Sequence, residues 1–197
     1  MKVNVLIPVK LLANAKSRLS KQLSIEQREA LVLSMVSHVI ATLIHSKVCD
    51  DIYLVSKDKK VASLAKEFGV KTLFDKTTTH NKALTEASLL VESKPLLVIS
   101  SDLPLVTTQN VQDMVTLLGK YDIVFASSKE QTGTNAIAMK KPLLLPYLFG
   151  RNSLKKFEKC AKNNNLSYYV YVNNTTAFDI DTMDDLALFS KSQNVHT

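Results

Sequence analysis

Short apolar stretches that suit buried strands alternate along the chain with segments whose apolar positions recur at helical spacing. Val3 to Val9 (VNVLIPV) is almost continuously apolar, as a strand covered on both faces should be. After a polar loop, Ser24 and Gln27 have capping-box spacing and open a helix of about 20 residues, with Leu31, Met35, His38, Val39 and Thr42 at helical spacing. Ile52 to Val55 predicts a second strand. Ser56 is then the expected cap of a short helix that stops at Gly69, where a left-handed residue can end it. A third strand is predicted over Val70 to Phe74, a helix over Lys82 to Glu92 and a fourth strand over Leu96 to Ser100. Thr107 or Thr108 caps a helix ended by Gly119, and Ile123 to Ala126 reads as a fifth strand.

Strands alternating with helices in this way call for a mostly parallel sheet with helices on both faces, an α/β Rossmann-like three-layer sandwich. Further on the rhythm loosens. Asn135 to Met139 reads as a strand, Ser153 to Lys162 as a helix, Tyr168 to Val172 as a strand and Met183 to Phe189 as a terminal helix. Nothing marks a linker, a repeat or a low-complexity tract, so the 197 residues are read as a single domain, 1–197.

Composition narrows the chemistry. The chain has only four glycines, and they are dispersed. A phosphate-cradling loop of the P-loop or dinucleotide type needs several close together, so a nucleotide would be held by side chains, metal ions and single-glycine turns. Cys49 and Cys160 stand alone and read as reduced thiols. Twenty-five Lys and Arg against 18 Asp and Glu give a net charge of +7, which favours anionic partners, phosphorylated small molecules and nucleic acid alike. No apolar run approaches the roughly 18 residues of a membrane span, and the first residues read as a strand instead of a signal peptide. The expected location is the cytoplasm.

In open α/β sheets, ligands bind outside the carboxyl ends of the strands, and that rule selects particular loops. After the first strand, Lys10 and then Lys16, Ser17 and Arg18 place three cations where a triphosphate could be neutralised; a solvated basic loop is the plainer reading. After the fourth strand, Ser101-Asp102-Leu103-Pro104 either offers a carboxylate to Mg²⁺ or caps its own turn. Asp179 and Asp181, two apart, could converge on one metal pair; capping of the following helix accounts for Asp181 but not for Asp179. Gly133-Thr134-Asn135 leads into a strand, and Gly150-Arg151-Asn152-Ser153 leads into a helix whose free amides could hold an anion or be capped by Asn152 or Ser153. His38 lies on an apolar helix face, His45, His80 and His196 have no metal-ligand spacing, and no catalytic Ser/His/Asp or Cys/His set assembles.

Taken in order, Ile7-Pro8-Val9-Lys10 with Ala15-Lys16-Ser17-Arg18-Leu19, Ser101-Asp102-Leu103-Pro104-Leu105, Gly133-Thr134-Asn135-Ala136, Phe149-Gly150 with Ser153, and Asp179-Ile180-Asp181-Thr182 resemble the 2-phospho-L-lactate guanylyltransferases, from residue 3 to about residue 186. The resemblance implies a fold of the nucleotide-diphospho-sugar transferase type. It also implies transfer of GMP from GTP to 2-phospho-L-lactate, or to a related acid such as phosphoenolpyruvate or 3-phosphoglycerate, in making the deazaflavin coenzyme F-420. By position it assigns Asp102, Asp179 and Asp181 to Mg²⁺, two ions being expected. It assigns Lys10, Lys16, Arg18, Asn81 and Ser101 to the nucleotide, and Thr134, Gly150 and Ser153 to the phosphorylated acid. Asp102, Lys16 and Arg18 become the catalytic set, and a homodimer is a further implication. The chain departs from the family pattern at Thr79-His80-Asn81, which keeps only the Asn of a Gly-Gly-Leu-Asn stretch, at Gly150-Arg151-Asn152-Ser153, and at Phe157, where a His is common. Other nucleotidyltransferases of this fold, a basic nucleic-acid-binding module and a nucleotide sensor without catalysis are the competing readings.

Overall fold

The structure is a computed structural model that describes residues 1–194; His196 lies outside the described residues. Seven strands, β1 (Val3–Pro8), β2 (Cys49–Ser56), β3 (Lys71–Phe74), β4 (Leu96–Ile99), β5 (Ile123–Ser127), β6 (Thr134–Met139) and β7 (Tyr168–Tyr171), form one sheet in the order β3-β2-β1-β4-β6-β5-β7. Every pairing is parallel except those of β6, which runs antiparallel to both β4 and β5. The 128–133 loop between β5 and β6 is too short for a crossover, so the chain must turn back on itself there.

The helices are α1 (Ile25–Ser46), α2 (Lys59–Glu67), α3 (His80–Leu90), α4 (Thr108–Leu117), α5 (Ser153–Asn163), α6 (Asn174–Ala177) and α7 (Met183–Asn194). Residues of alternating parity on the strands feed two cores. Val3, Val5 and Ile7 of β1 join Val36, Val39 and Ile40 of α1 and Met114 of α4 on one face. Leu6 joins Leu84 of α3 and Phe157 of α5 on the other, with Phe125 and Phe157 stacked at 5.4 Å between ring centroids. The helix–sheet–helix layering predicted from the pattern is therefore present. By length and composition α1 alone, among the described residues, is apolar enough to cross a membrane. The sequence pattern did not suggest this, because Ser, Thr and His interrupt the apolar stripe. Here that stripe packs into the core: Val32, Met35, Val36, Val39, Ile40 and Leu43 are all buried.

Several boundaries differ from the sequence pattern for identifiable reasons. The α1 capping box is present: the Gln27 amide donates to Ser24 Oγ, and the Ser24 amide donates to Gln27 Oε1. Ser56, by contrast, ends β2, and the cap of α2 is Asp58, which accepts from the Lys60 amide. Thr79 caps α3, so this helix begins two residues before the predicted Lys82 and carries Asn81 in its first turn. The short α6 was not legible as a helix.

Candidate active site

The first loop is held to the body of the protein at several points. Leu12 and Leu19 are fully buried, the Leu12 amide donates to Asp58 Oδ2 at 3.0 Å, and the buried Arg28 guanidinium donates to the Ala15 carbonyl at 2.7 Å. Between these anchors Lys16 adopts a left-handed backbone (φ 49°), a conformation that costs a non-glycine residue free energy and concentrates at functional positions. The result is a buried ammonium aimed at the carboxyl end of β4. Lys16 Nζ donates to Asp102 Oδ2 at 2.6 Å and to Asp181 Oδ1 at 3.0 Å, with the Lys16 side chain only 8% exposed. Arg18 reaches Asp181 Oδ2 at 3.4 Å from a more exposed position.

Asp179 and Asp181 arrive from the far side of the sheet. Asn135 of β6 donates from its amide to the Thr176 and Ala177 carbonyls, which pins α6, and Ile180 is driven fully into the core. The acids on either side of Ile180 are thereby turned toward Asp102, although the segment is not a strand as its spacing suggested. Asp181 does not cap α7. That work falls to Thr182 and Asp185: the Asp185 amide donates to Thr182 Oγ1, while the Asp181 and Thr182 amides donate to Asp185 Oδ2. Capping thus does not account for Asp181, which instead meets Lys16 and Arg18.

The three carboxylates each place an oxygen within 4.8 Å of the others. Burial works against the charge of Asp102, but the Lys16 ammonium, with the Ser100 hydroxyl, outweighs it and holds that carboxyl below its usual range. For Lys16, burial pulls the pKa down, and the attraction of Asp102 and Asp181 more than restores it, leaving it raised. For Asp179 the Lys16 charge and a backbone hydrogen bond are outweighed. Burial first, then the neighbouring Asp102 and Asp181 charges, push it up to about 6. Three half-buried oxygen donors, one of them ionising only against its neighbours, are the donor set a hard divalent cation satisfies, and the Lys16 ammonium already marks where positive charge is favoured. The residues therefore fit a divalent metal.

Against Asp102 and Asp181 lies a cavity of about 510 Å³, lined also by Lys10, Lys16, Arg18, Ser101, His80, Phe149 and Gly150 among others; Asp179 is not one of its lining residues. Thr134, Ser153 and Asn81, also singled out from sequence, are not among its lining residues. Ser153 Oγ donates to Thr134 Oγ1 at 3.1 Å, and both side chains are buried. Asn81 turns its amide to the backbone of Phe149, donating to its carbonyl at 3.2 Å and accepting from its N–H at 3.1 Å. Asn81 thus holds the turn that presents Gly150, which itself has φ +124°. Neither alternative cap of α5 operates. Asn152 sits left-handed with no side-chain cap bond, and Ser153 spends its hydroxyl on Thr134; the Ser153 and Leu154 amides donate instead to the Gly150 and Thr132 carbonyls, each at 3.1 Å. Arg151 is exposed.

Residues 3–194 match the family model described as guanylyl transferase CofC like. The chain belongs to the CofC-like guanylyltransferase family. Phosphoenolpyruvate guanylyltransferase of Chloroflexus aggregans is 34% identical over 198 residues, covering 97% of this chain and 98% of that protein. 2-Phospho-L-lactate guanylyltransferase of Methanocaldococcus vulcanius is 32% identical over 195 residues, covering 98% and 87%. Among solved structures, 4-diphosphocytidyl-2C-methyl-D-erythritol synthase of Anaerococcus prevotii superposes with a TM-score of 0.68 at 13% identity, covering 98% of this chain and 99% of that one, a likeness of fold.

Within this CofC-like chain, two features had little signal in the sequence. Phe157 is fully buried against Phe125 and edge-on to Phe149, so it supports the turn that carries Gly150. Ser127 stands opposite Thr134 in the β5–β6 ladder, fully buried, and its hydroxyl has no hydrogen-bond partner among the described residues. The serine at the end of an apolar strand was the available clue, but nothing in the sequence paired it with Thr134. A buried hydroxyl left unpaired is costly, and it lies beside the Thr134–Ser153 pair.

Proposed function

We propose that this chain transfers GMP from GTP to a small phosphorylated carboxylic acid, 2-phospho-L-lactate or phosphoenolpyruvate, with release of pyrophosphate, as a cytoplasmic step toward coenzyme F-420. The observation that carries the reading is the convergence of Asp102, Asp179 and Asp181 with Lys16 at the carboxyl edge of the sheet, in a chain of a guanylyltransferase family. The acceptor is a phosphomonoester with a second pKa near ~6, largely a dianion at neutral pH, so its attacking oxygen needs no general base. That suits a site in which Lys16, Arg18 and carboxylates are the groups gathered by ion pairs.

The acceptor oxygen forms a bond to the α-phosphorus of GTP as the bond from that phosphorus to the β-bridging oxygen breaks, and pyrophosphate leaves. Two anions must therefore be brought together and negative charge must be absorbed on the leaving group. Asp102, Asp179 and Asp181 would hold two Mg²⁺ ions, which supply charge neutralisation and Lewis-acid activation of the phosphates. Lys10, Lys16 and Arg18, which all line the cavity, would pair with the β and γ phosphates. Thr134, Gly150 and Ser153 form the acceptor side, at the N-terminus of α5, where the helix dipole favours an anion although the Ser153 and Leu154 amides donate to the Gly150 and Thr132 carbonyls. A homodimer is part of the proposal.

Pyrophosphate release, assayed with Mg²⁺ and each nucleoside triphosphate against phospholactate, phosphoenolpyruvate and 3-phosphoglycerate, tests the reading. Release that requires GTP together with one of these acids is expected. Release independent of the acid, or none with any pair, overturns it.

A further inference from the structure

A second cavity, of about 260 Å³, opens beside the first and shares Pro8, Val9, Lys10, Asn14 and His80 with it. It runs outward over the carboxyl ends of β1, β2 and β3, away from the acid cluster, toward Lys57 and Asp75. Pro8, Leu11, Val55 and Ala83 give it apolar walls suited to the faces of a flat ring. Asp75 is the one carboxylate among the described residues that line it.

Asp75 is held in place. Its amide donates to the Ser56 carbonyl at 3.1 Å, and its Oδ1 accepts from the Thr77 amide and hydroxyl at 2.7 and 2.8 Å. Lys57 Nζ donates to the Thr77 carbonyl, which fixes the same turn from the β2 side. Each carboxylate oxygen offers about two lone pairs, so Oδ1 is filled. Oδ2 has no hydrogen-bond partner among the described residues and remains a charged acceptor at the edge of an apolar slot.

Resting on the transfer reading above, we propose that Asp75 selects guanine: with the triphosphate at Lys10, Lys16 and Arg18, the base lies in the second cavity and Asp75 Oδ2 accepts from its N1–H and N2–H₂ edge. Guanine alone among the common bases presents two adjacent donors there. Adenine would turn the lone pair of its N1 toward the carboxylate, a repulsion in a site partly shielded from water. Lys57, close to the same turn, is placed to meet the O6 acceptor. Asn81, the residue first associated with the nucleotide, is instead occupied with Phe149.

The test is equilibrium binding of GTP, XTP and ATP, with Mg²⁺, to the native protein and to Asp75→Asn, together with pyrophosphate release by both. Asparagine keeps the shape and the Oδ1 bonds to Thr77 but turns an NH₂ toward the base. That group repels guanine N2–H₂ and suits the C2 carbonyl of xanthine. The variant should lose on the order of 10- to 100-fold in GTP affinity, the range expected of a charge-assisted hydrogen bond, and should gain affinity for XTP. A merely structural role for Asp75 would weaken all three ligands together, and that result, an unchanged GTP-to-XTP ratio, or no GTP binding by the native protein overturns the proposal. Native protein that binds GTP through Asp75 yet releases no pyrophosphate upholds the base site and overturns the transfer reading instead. Turnover with GTP preference intact in the variant does the reverse.

Discussion

On the β1–β4 side of the sheet's carboxyl edge, the candidate residues are charged and face an open cavity; on the β6–α5 side they are neutral hydroxyls packed out of solvent. Lys16 pairs with Asp102 and Asp181, Asp179 adds a third carboxylate beside them, and the cavity stays open next to the pair. Thr134 and Ser153 bond to each other, with Ser127 unpaired beside them. The difference teaches how one small domain could handle two anionic substrates. Charges that can exchange partners suit a triphosphate and its metal, whose charge is redistributed during the reaction. Fixed neutral donors suit recognition of an acid that must be told apart from similar acids.

Removing charge from the open side should have the largest effect. Asp102→Asn is expected to lower turnover with Mg²⁺ by at least about 10³-fold, because it takes away both a metal oxygen and the main partner of Lys16. Lys16 keeps Asp181, so the variant should still melt cooperatively; near-native turnover would dissolve the distinction between the two sides. A change on the closed side should be smaller and selective. Ser153→Ala leaves Thr134 Oγ1 buried without its partner, at a cost of about 1 kcal/mol in unfolding free energy, and should raise the KM for the acid about tenfold while that for GTP barely moves. Equal shifts in both KM values would place Ser153 outside the acceptor side.

The smallest effect should come from a clamp that serves neither side. Asp122 accepts from the Ser167 hydroxyl at 2.6 Å and its amide at 2.9 Å, joining the starts of β5 and β7, and Lys140 reaches it at 3.1 Å. These bonds, led by that from the Ser167 hydroxyl, lower its carboxyl to about 2. A folded-state pKa below the unfolded value means that the clamp contributes fully above about pH 4 and is lost as pH falls toward 2. Melting temperature should therefore drop less steeply between pH 4 and 2 in Asp122→Asn than in the native protein, with no change in turnover at neutral pH. Parallel pH profiles would show that the clamp adds nothing.

Much of the fold was legible because strand and helix periodicities agree with their caps, as at Ser24–Gln27 and Thr107. The acids were legible for a related reason: the rule that ligands gather at the carboxyl ends of strands singles out Asp102, and capping could not explain Asp179. What escaped was whatever depends on contacts distant in sequence. Lys16 meets Asp181 across 165 positions, and Asn81 meets Phe149 across 68. The placement of β6 against β4 as well as β5 pairs Val98 with Ile137, 39 positions away. Periodicity marks a strand but not its neighbours, and these pairings are matters of neighbours.

The central claim is that Asp102, Asp179 and Asp181 form one divalent-cation site at the mouth of the nucleotide cavity. Its most direct test is Mn²⁺ binding followed by electron paramagnetic resonance, with GTP present and acid absent, in the native protein and in Asp179→Asn. Asp179 is the informative choice, since it makes no ion pair among the described residues and should gain most from a bound cation. The native protein should take up Mn²⁺ tightly and the variant at least about tenfold more weakly. Equal Mn²⁺ affinity in the two proteins would contradict the account.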